Sequence, residues 1–236
     1  MTITEPTPII DPAALELVAV DLYRDIHKGI RAELFATTEA AGRVDPADPA
    51  GRADLAHQVD GLVALLVAHA EHEDTHVQPT IDVHLPALAE RIAVDHERIE
   101  GRLDTLVELA QVGSGDGPAG RTQTHRLYLE LASFTAAYLE HQDLEERIVM
   151  PALDGAAGID ACLAMHQAIV GSIPPEEMAR SLALMLPAMN VDDRTELLGG
   201  MQAGAPPEVF DGVWGLARSL LRPEDVAAVG ARLGLG

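Results

Sequence analysis

A pattern of histidine and glutamate occurs twice in this chain, about 70 residues apart, and it restricts the possible folds more than any other feature. The segments HKGIRAEL at 27–34 and HERIEGRL at 96–103 share His-x-x-Ile-x-x-x-Leu. The segments HAEHEDTHVQP at 69–79 and HQDLEERIVMP at 141–151 share a His, a Glu four residues later, an adjacent acid and a later Pro. Spacings of three and four residues place side chains on one helix face, so the repeat predicts four helices in two matching pairs.

The rest of the chain is also typical of helices. Aromatic residues make up 3% of the composition, β-branched runs are short, and apolar residues recur at intervals of three and four. We therefore predict an all-α protein, in which Asp11 and Pro12 begin the first helix and Pro151 ends the fourth. The predicted helices cover about 12–42, 49–78, 86–110, 120–150, 159–172, 175–190, 192–200, 206–221 and 223–233.

The lengths of these helices predict the architecture. Four helices of roughly 25 to 30 residues would each be about 40 Å long, and short connections make sequential helices antiparallel neighbours. We expect an up-down-up-down four-helix bundle in residues 1–170. Residues 171–236 contain shorter helices separated by prolines, and we expect them to form a C-terminal helical extension packed on the bundle.

The charge of the chain argues against several classes of partner. Lys and Arg total 16 against 38 Asp and Glu, and the net charge of −22 would repel nucleic acids and anionic membranes. Cys162 is the one cysteine, which excludes an intrachain disulfide and a thiolate metal cluster. We find no pattern of a signal peptide or of a membrane-spanning helix. We therefore expect a cytoplasmic protein that binds neither nucleic acid nor membrane.

The repeated histidines and glutamates are expected to form one metal site. Residues four apart on a helix share a face, so each His-x-x-x-Glu pair can approach a metal together, and one further His from each of the other two long helices would complete the set. The predicted ligands are His27, His69, Glu73, His96, His141 and Glu145. Four imidazoles and two bridging carboxylates suit two metal ions. Imidazole and carboxylate without thiolate favour iron or manganese, with zinc possible.

The number of available bonds indicates a reactive site. Two six-coordinate iron ions joined by an oxo or hydroxo bridge would keep open positions after binding four imidazoles and two carboxylates. Glu100 lies four residues after His96 on the same helix face, and could fill one position as a terminal ligand or remain beside the site as a base. One open position is enough to bind O2, peroxide or NO.

With these residues the chain resembles the hemerythrin-like, or HHE cation-binding, family over roughly residues 12–170. The six predicted ligands and the prolines after both His-x-x-x-Glu motifs fall on that family's positions, which implies a bundle with a di-iron centre. Oxygen-carrying hemerythrins have His-x-x-x-His on the third helix and usually an Asp five residues after the His of the fourth, whereas this chain has Glu100 and Glu145. The difference argues against reversible O2 carriage. The four-His, two-Glu set looks more like the bacterial branch linked to nitrosative stress and iron handling.

Several residues beside the predicted ligands have two possible roles. His72 and His76 follow His69 by three and seven residues, on the same helix stripe. They are either ordinary, partly buried histidines with hydrogen-bond partners, or proton relays and alternate ligands. Tyr23 and Tyr138 come one turn before ligand histidines, and we expect them as core residues, with a role as ligand or hydrogen donor as the alternative.

Other polar residues near the repeat are expected to have minor roles. Asp74 and Glu146 follow the ligand glutamates by one residue, and a rotation of about 100° turns them away from the metal-facing side. We expect them to be solvated or to lie behind the ligands rather than to bridge metals. His166 is expected at the surface, and Cys162 as a small core residue.

These observations predict a non-heme di-iron protein that reacts with a small oxidant, O2, H2O2 or NO, in oxidative or nitrosative stress or in iron handling. Its second partner would be an unidentified reductant, and peroxidase, catalase-like or NO-reducing oxidoreductase activity would fit. The alternatives are a sensor or store of O2 or iron, a di-iron oxidase or oxygenase with an organic substrate, and a structural protein with a zinc-filled site. The apolar extension could cover the mouth of the bundle, shape a channel or form a homodimer.

Overall fold

The computed structural model of this chain describes residues 18–112 and 118–235, and all regular structure in these two ranges is helical, which confirms the all-α prediction. The helices are α1 Arg24–Arg43, α2 Pro49–His76, α3 Gln78–His84, α4 Pro86–Val112, α5 Pro118–Leu144, α6 Met150–Ala157, α7 Ile159–Ser172, α8 Pro175–Ala188, α9 Val191–Gly204, α10 Pro207–Leu220 and α11 Pro223–Leu233. A single π-helical turn, Glu145–Val149, joins α5 to α6. No helix among these is by itself long and apolar enough to cross a membrane; only Gly120–Ala157 taken together with Ile159–Ser172 meets that criterion, and this pair is bent by 116°.

The four long helices pack around a shared apolar interior. Helix α1 contacts α2 and α5, and α4 contacts the same two helices. Apolar residues from all four fill the space between them, which follows from the three-and-four spacing of Leu, Ile and Val in their sequences. The largest fully buried members of this first cluster are Ile30, Leu34, Leu62, Leu106, Leu131 and Phe134.

A second apolar cluster lies at one end of the long helices. It contains residues of the chain before α1, of α3, α6 and α7, and of the adjoining ends of α4 and α5. Its members include Tyr23, Val77, Ile81, Ile92, Leu144, Val149, Met150, Leu153, Cys162 and Met165. The burial of Cys162 agrees with the expectation that it is a core residue.

The first helix begins later than its sequence predicts. Residues 18–23 are not helical, and α1 starts at Arg24 rather than at Pro12; residues 12–17 lie outside the described ranges. The Asp21 carboxylate accepts hydrogen bonds from the backbone N–H groups of Tyr23 and Arg24, both at 3.0 Å. A side-chain acceptor at this position satisfies the free N–H groups of a first helical turn, so Asp21 rather than Asp11 sets the start of this helix.

Each proline of the repeat begins a further helical segment. Helix α2 ends at His76, before Pro79 as predicted, and Pro79 lies in the first turn of α3, a short helix that the sequence did not indicate. Pro151 was predicted to end the fourth helix, but the chain remains helical to Ala157. The preceding π turn, in which the Met150 N–H donates to the Glu145 carbonyl, widens the helix and leaves room for the proline ring, so Pro151 opens the next segment instead.

The C-terminal helices have their own apolar cluster. Helices α8 to α11 agree with their predicted ranges to within a few residues, and they bury a third cluster: Leu182, Leu186, Leu198, Phe210, Ala217, Leu221 and Val229. Helix α8 packs along α1, and Arg24 and Lys28 of α1 form ion pairs with Asp193 of α9. The division of the chain near residue 170 stays a prediction.

The contact between α1 and α8 depends on a glycine. A Cβ atom at Gly29 would lie 2.9 Å from Leu184 Cγ, closer than carbon atoms pack. Gly29→Ala is therefore expected to lower the free energy of unfolding by about 1 to 3 kcal/mol through overpacking. Gly61→Ala on α2 is the matched control, because nothing lies within 4 Å of a Cβ there, and the better helix former should raise stability by about 1 kcal/mol. Urea denaturation of both variants measures the contrast, and equal effects would contradict the close contact.

Candidate metal centre

Six buried polar side chains form a layer between the first and second apolar clusters. On every long helix the polar residue is flanked by one member of each cluster, as in Leu66, His69 and Val77 on and after α2. The layer consists of the six residues that the sequence repeat predicts: His27, His69, Glu73, His96, His141 and Glu145. All six side chains are buried, and the apolar clusters on both sides keep bulk water away from them.

Three of these residues converge on one side of the layer. His27 Nε2 lies 3.1 Å from His69 Nε2, and His69 Nε2 lies 3.1 Å from Glu73 Oε1. The Oε2 atom of Glu145 is 3.5 Å from His27 Nε2. His27, His69 and Glu73 offer ligand atoms that all lie within 4.8 Å of one another, a spacing that one metal ion could bridge.

A second set converges on the other side of the layer. His141 Nε2 lies 3.3 Å from Glu145 Oε1, and His96 Nε2 lies 3.6 Å from Glu73 Oε2. We call the space beside His27 and His69 the first metal position and the space beside His96 and His141 the second. Each carboxylate thus directs one oxygen to the first position and the other oxygen to the second. The repeat in the sequence therefore appears in space as two histidine pairs joined by two glutamates.

The donor atoms of this layer fit a pair of cations. Glu145 Oε2 and His96 Nε2 are buried and have no hydrogen-bond partner among the described residues. Buried polar atoms without partners carry a high desolvation cost, and a cation between them would remove it. Nitrogen and carboxylate donors without sulfur suit iron, manganese or zinc.

The pKa values of the side chains in the layer bear on its capacity to bind metal. Burial, together with the Arg31 charge, holds the pKa of His27 well below its usual range, and burial lowers the pKa of His141 to about 2. Both imidazoles are therefore neutral at physiological pH and can use a ring nitrogen lone pair. Burial raises the pKa of Glu73 and of Glu145 well above its usual range, and Glu145 is raised further by the charge of Glu73. Below these raised pKa values, metal binding would replace protons on the glutamates.

Two acidic residues orient the histidines from behind. Glu146 Oε1 accepts from His27 Nδ1 at 2.9 Å, and Asp74 Oδ1 accepts from His96 Nδ1 at 3.2 Å. A proton fixed on Nδ1 leaves the lone pair on Nε2, which in both residues faces the layer. This position behind the ligands is one of the two that the sequence predicted for these acids.

Arg31 supports the first of these hydrogen bonds, and the sequence analysis did not identify it. Its Nη1 lies 2.6 Å from the same Glu146 Oε1 that accepts from His27. The available signal was its spacing, because Arg31 follows His27 by four residues and so lies on the same face of α1.

Glu146→Gln is expected to weaken metal binding without abolishing it. The substitution removes a charged acceptor behind one histidine and leaves all six converging side chains in place. Loss of such a partner costs about 10- to 100-fold in metal affinity, and competition with a chelator of known affinity measures it. Asp143→Asn is the control on the same stretch of helix, because Asp143 forms an i,i+4 ion pair with Arg147 at the surface. An affinity of Glu146→Gln equal to that of Asp143→Asn would show that the hydrogen bond to His27 is without effect.

Tyrosine rings flank the layer on two sides. The Tyr23 ring lies 5.2 Å from that of His27, and the Tyr138 ring lies 5.8 Å from that of His141. Burial and then the charge of Glu145 raise the pKa of Tyr23, so its phenol keeps its proton. Both side chains are buried in apolar clusters, which agrees with their expected role as core residues.

The remaining candidates lie outside the layer. His72 Nε2 is 3.4 Å from Glu177 Oε1, and His76 Nε2 is 3.1 Å from Ser172 Oγ, so both half-buried rings contact the C-terminal helices. Such contacts fit ordinary, partly buried histidines with hydrogen-bond partners, and the choice between the two predicted roles stays a prediction. Glu100 is exposed and lines the approach to His96, and His166 is exposed on α7. The structure thus brings together the six predicted ligands, with Tyr23 beside them, and leaves His72, His76 and Glu100 at the periphery.

The comparison with known proteins agrees with this centre. Residues 18–153, more than half of the chain, match the family model described as the hemerythrin HHE cation binding domain. No curated protein and no solved structure gives a significant match.

Proposed function

Because the chain belongs to the hemerythrin HHE cation-binding domain family, we propose that it binds two iron ions and reacts with a small oxidant, O2, H2O2 or NO. The observation that carries the proposal is the position of Glu73 and Glu145, each of which directs one oxygen to each histidine pair. Bound iron would supply electrons and an open coordination position for the oxidant. Manganese and zinc are the less favoured metals.

We also propose that the four long helices form an up-down-up-down bundle. The two apolar clusters support this, because successive long helices pass them in alternating order. Helix α2 runs from Leu66 of the first cluster towards Val77 of the second, and α4 runs from Ile92 of the second to Ile99 of the first. Sequential antiparallel helices with short connections are the usual arrangement of a closed bundle.

The residues around the proposed metals would control the chemistry by position and by exclusion. Neutral histidines would bind through Nε2, and the hydrogen bonds that His27 and His96 donate to Glu146 and Asp74 hold these two rings in place. The apolar clusters keep water from the layer, so only small molecules could reach it. Buried Tyr23 and Tyr138 are the nearest groups that still hold a proton beside the histidines.

Glu100 stands where oxygen carriers have a histidine, and its carboxylate lies at the approach to His96 and outside the layer of six ligands. A negative charge there would favour the ferric state without binding the metal, and so consumption of an oxidant over its reversible binding. A cytoplasmic location is supported by Cys162, a buried free thiol in a chain without any other cysteine.

The test begins with the metal content of protein expressed in iron-replete medium without chelator. We expect about two irons per chain, followed by oxidation of the anaerobically reduced protein on mixing with O2, H2O2 or NO. An enzyme would consume many equivalents of one oxidant when a reductant is supplied, and His69→Ala would abolish turnover. Zinc in both positions, or no stoichiometric metal, would overturn the proposal. A single stoichiometric oxidation without turnover would restrict it to binding.

A second function is favoured by the contacts of the C-terminal helices. Helix α8 packs on α1 at Gly29, two residues after His27, and Glu177 and Ser172 contact His72 and His76. We propose as the alternative a sensor in which metal or redox state alters the docking of residues 171–236. Limited proteolysis of the metal-free, ferrous and ferric protein would then give different cleavage rates in that segment. Identical rates in all three states would exclude the sensor.

A further inference from the structure

An acidic recess lies on the surface between α2, α3 and α4. Its volume is ≈ 500 Å³, and the carboxylates that line it are Asp74, Asp82, Glu97 and Glu100. Gln78 and His96 complete its polar lining, and no Lys or Arg of the described residues lines it. We call this feature the acidic vestibule.

A small inner cavity lies next to the vestibule and reaches the layer of six ligands. Glu100 and His96 line both spaces, and the inner cavity continues past Glu73, Tyr138 and His141. The inner cavity holds ≈ 10 Å³, which is about the space that one water molecule needs. Between the vestibule and the second metal position, which lies between His96 and His141, there is therefore a space that one small molecule or ion would fill.

Buried, unpartnered ligand atoms distinguish the vestibule from an ordinary group of surface acids. His96 is 8% exposed and its Nε2 has no hydrogen-bond partner among the described residues, while its Nδ1 bonds Asp74 of the vestibule. Glu73 is 7% exposed and lines the inner cavity, and its Oε2 lies 3.6 Å from His96 Nε2. A cation in the vestibule is thus adjacent to buried donor atoms that a cation would stabilise.

The opposite side of the layer is closed to cations. His27 is fully buried, and its outer nitrogen is covered by Glu146, whose charge is already paired with Arg31. The Tyr23 ring packs on the same histidine. Close packing opposes passage of a metal ion there.

We propose that the acidic vestibule is the route by which divalent metal cations reach the di-metal centre, with Glu100 as the last carboxylate before His96. The inference rests on the proposed function, since it presupposes that metals bind the layer. Converging carboxylates in a cleft raise the local concentration of cations and speed their capture, by 10- to 1,000-fold in the general range of such effects. The same field repels anions and leaves O2, H2O2 and NO unaffected, so the vestibule selects for metal and neutral oxidants.

The experiment measures the rate of metal uptake. Metal-free protein is mixed anaerobically with Co(II), and the appearance of its ligand-field absorbance is followed by stopped flow. The test variant Asp82→Asn/Glu97→Gln removes two vestibule charges on exposed side chains that are not among the six ligands. The matched control Asp104→Asn/Glu108→Gln removes two exposed charges from α4 outside the vestibule.

We expect the vestibule variant to take up Co(II) about tenfold more slowly than wild type at low ionic strength, and the control to differ by less than about twofold. Added salt should shrink the difference, because it screens exposed charges. The final Co(II) content should be equal in all three proteins, which also shows that they are folded. Glu100→Gln should slow uptake further at unchanged final content.

Two results would overturn the route, and they differ from failure of the proposed function. If wild type binds about two Co(II) and both double variants take up Co(II) as fast as wild type, the layer binds metal and the vestibule is not its route. If Asp104→Asn/Glu108→Gln slows uptake as much as the vestibule variant, only net charge matters. If wild type takes up no Co(II), the metal centre itself is refuted and the route with it.

Discussion

Glu145→Gln is expected to reduce the iron content from about two per chain to below about one half. The Oε2 atom of Glu145 lies 3.5 Å from His27 Nε2, and its Oε1 lies 3.3 Å from His141 Nε2. The substitution therefore removes an anionic donor from both metal positions at once. Two cations would then share the single carboxylate of Glu73 within a buried layer, where uncompensated charge is costly. Elemental analysis of purified protein measures the loss.

The size of the loss should depend on which residue is replaced. His141→Ala removes a donor from the second position only, so we expect it to retain about one iron per chain. Glu140→Gln is the control, because Glu140 is an exposed glutamate on the same helix one residue before His141. It should keep the wild-type iron content. Full iron occupancy in Glu145→Gln would mean that the metals bind elsewhere in the protein.

The six residues of the layer could be predicted from the sequence because the spacing that identifies them is a local property of the chain. A spacing of four places His69 and Glu73 on one helix face whatever surrounds them, and the repeat supplies the same geometry in the second half of the chain. The matching order of the two halves then implies a common level. This prediction does not depend on where each helix begins or ends.

The helix ends were predicted less well because they depend on single hydrogen bonds. Asp11 and Asp21 are both acceptable residues before a first turn, and only the structure shows that the Asp21 carboxylate accepts from Tyr23 and Arg24. Pro151 usually ends a helix, but one π turn before it changes that outcome. A π turn has no reliable signature in a single sequence. Its position at Glu145, one of the two predicted bridging residues, agrees with the frequent occurrence of such turns at functional sites.

The roles of His72 and His76 could not be decided from the sequence because their partners are distant in the chain. Periodicity places both on the stripe of His69, and it does not indicate that Ser172 and Glu177 cover this part of α2. These partners lie about 100 residues further along the chain, beyond any local pattern. The same limit applies to Glu146, whose contacts with His27 and Arg31 join α1 to the π turn.

The metal-free layer should destabilise the protein at neutral and alkaline pH. Burial raises the pKa of Glu73 and of Glu145 in the folded protein, whereas the unfolded chain titrates near 4.5. Above that pH the unfolded chain loses protons that the folded protein retains, so stability falls as pH rises towards the folded pKa. The histidines act in the opposite direction: burial lowers the pKa of His27, His69 and His141, and their contribution is lost only as pH falls below about 6.5.

Glu73→Gln/Glu145→Gln is therefore expected to be more stable than wild type when both are free of metal. The amides keep the shape of the carboxyl groups and cannot ionise, so the alkaline loss disappears. As pH rises above about 4.5, each glutamate should lower the wild-type free energy of unfolding by on the order of 1 kcal/mol per pH unit until its raised folded pKa is reached, and the variant should lack this loss. Urea denaturation in the presence of chelator at several pH values measures both slopes. Parallel pH dependence of the two proteins would contradict the raised pKa values.

Metal should reverse the order of stability. Iron or Co(II) binds the folded wild-type protein and replaces the protons on its glutamates, so its stability should rise with the metal concentration. At about 100 times the dissociation constant the gain is roughly 2.7 kcal/mol for each site, whereas the double glutamine variant should gain nothing. Replacing both glutamates thus improves the metal-free fold and removes the metal. Two buried carboxylates that weaken the protein when it is alone and stabilise it when metal is bound are better explained by metal binding than by any contribution to the core.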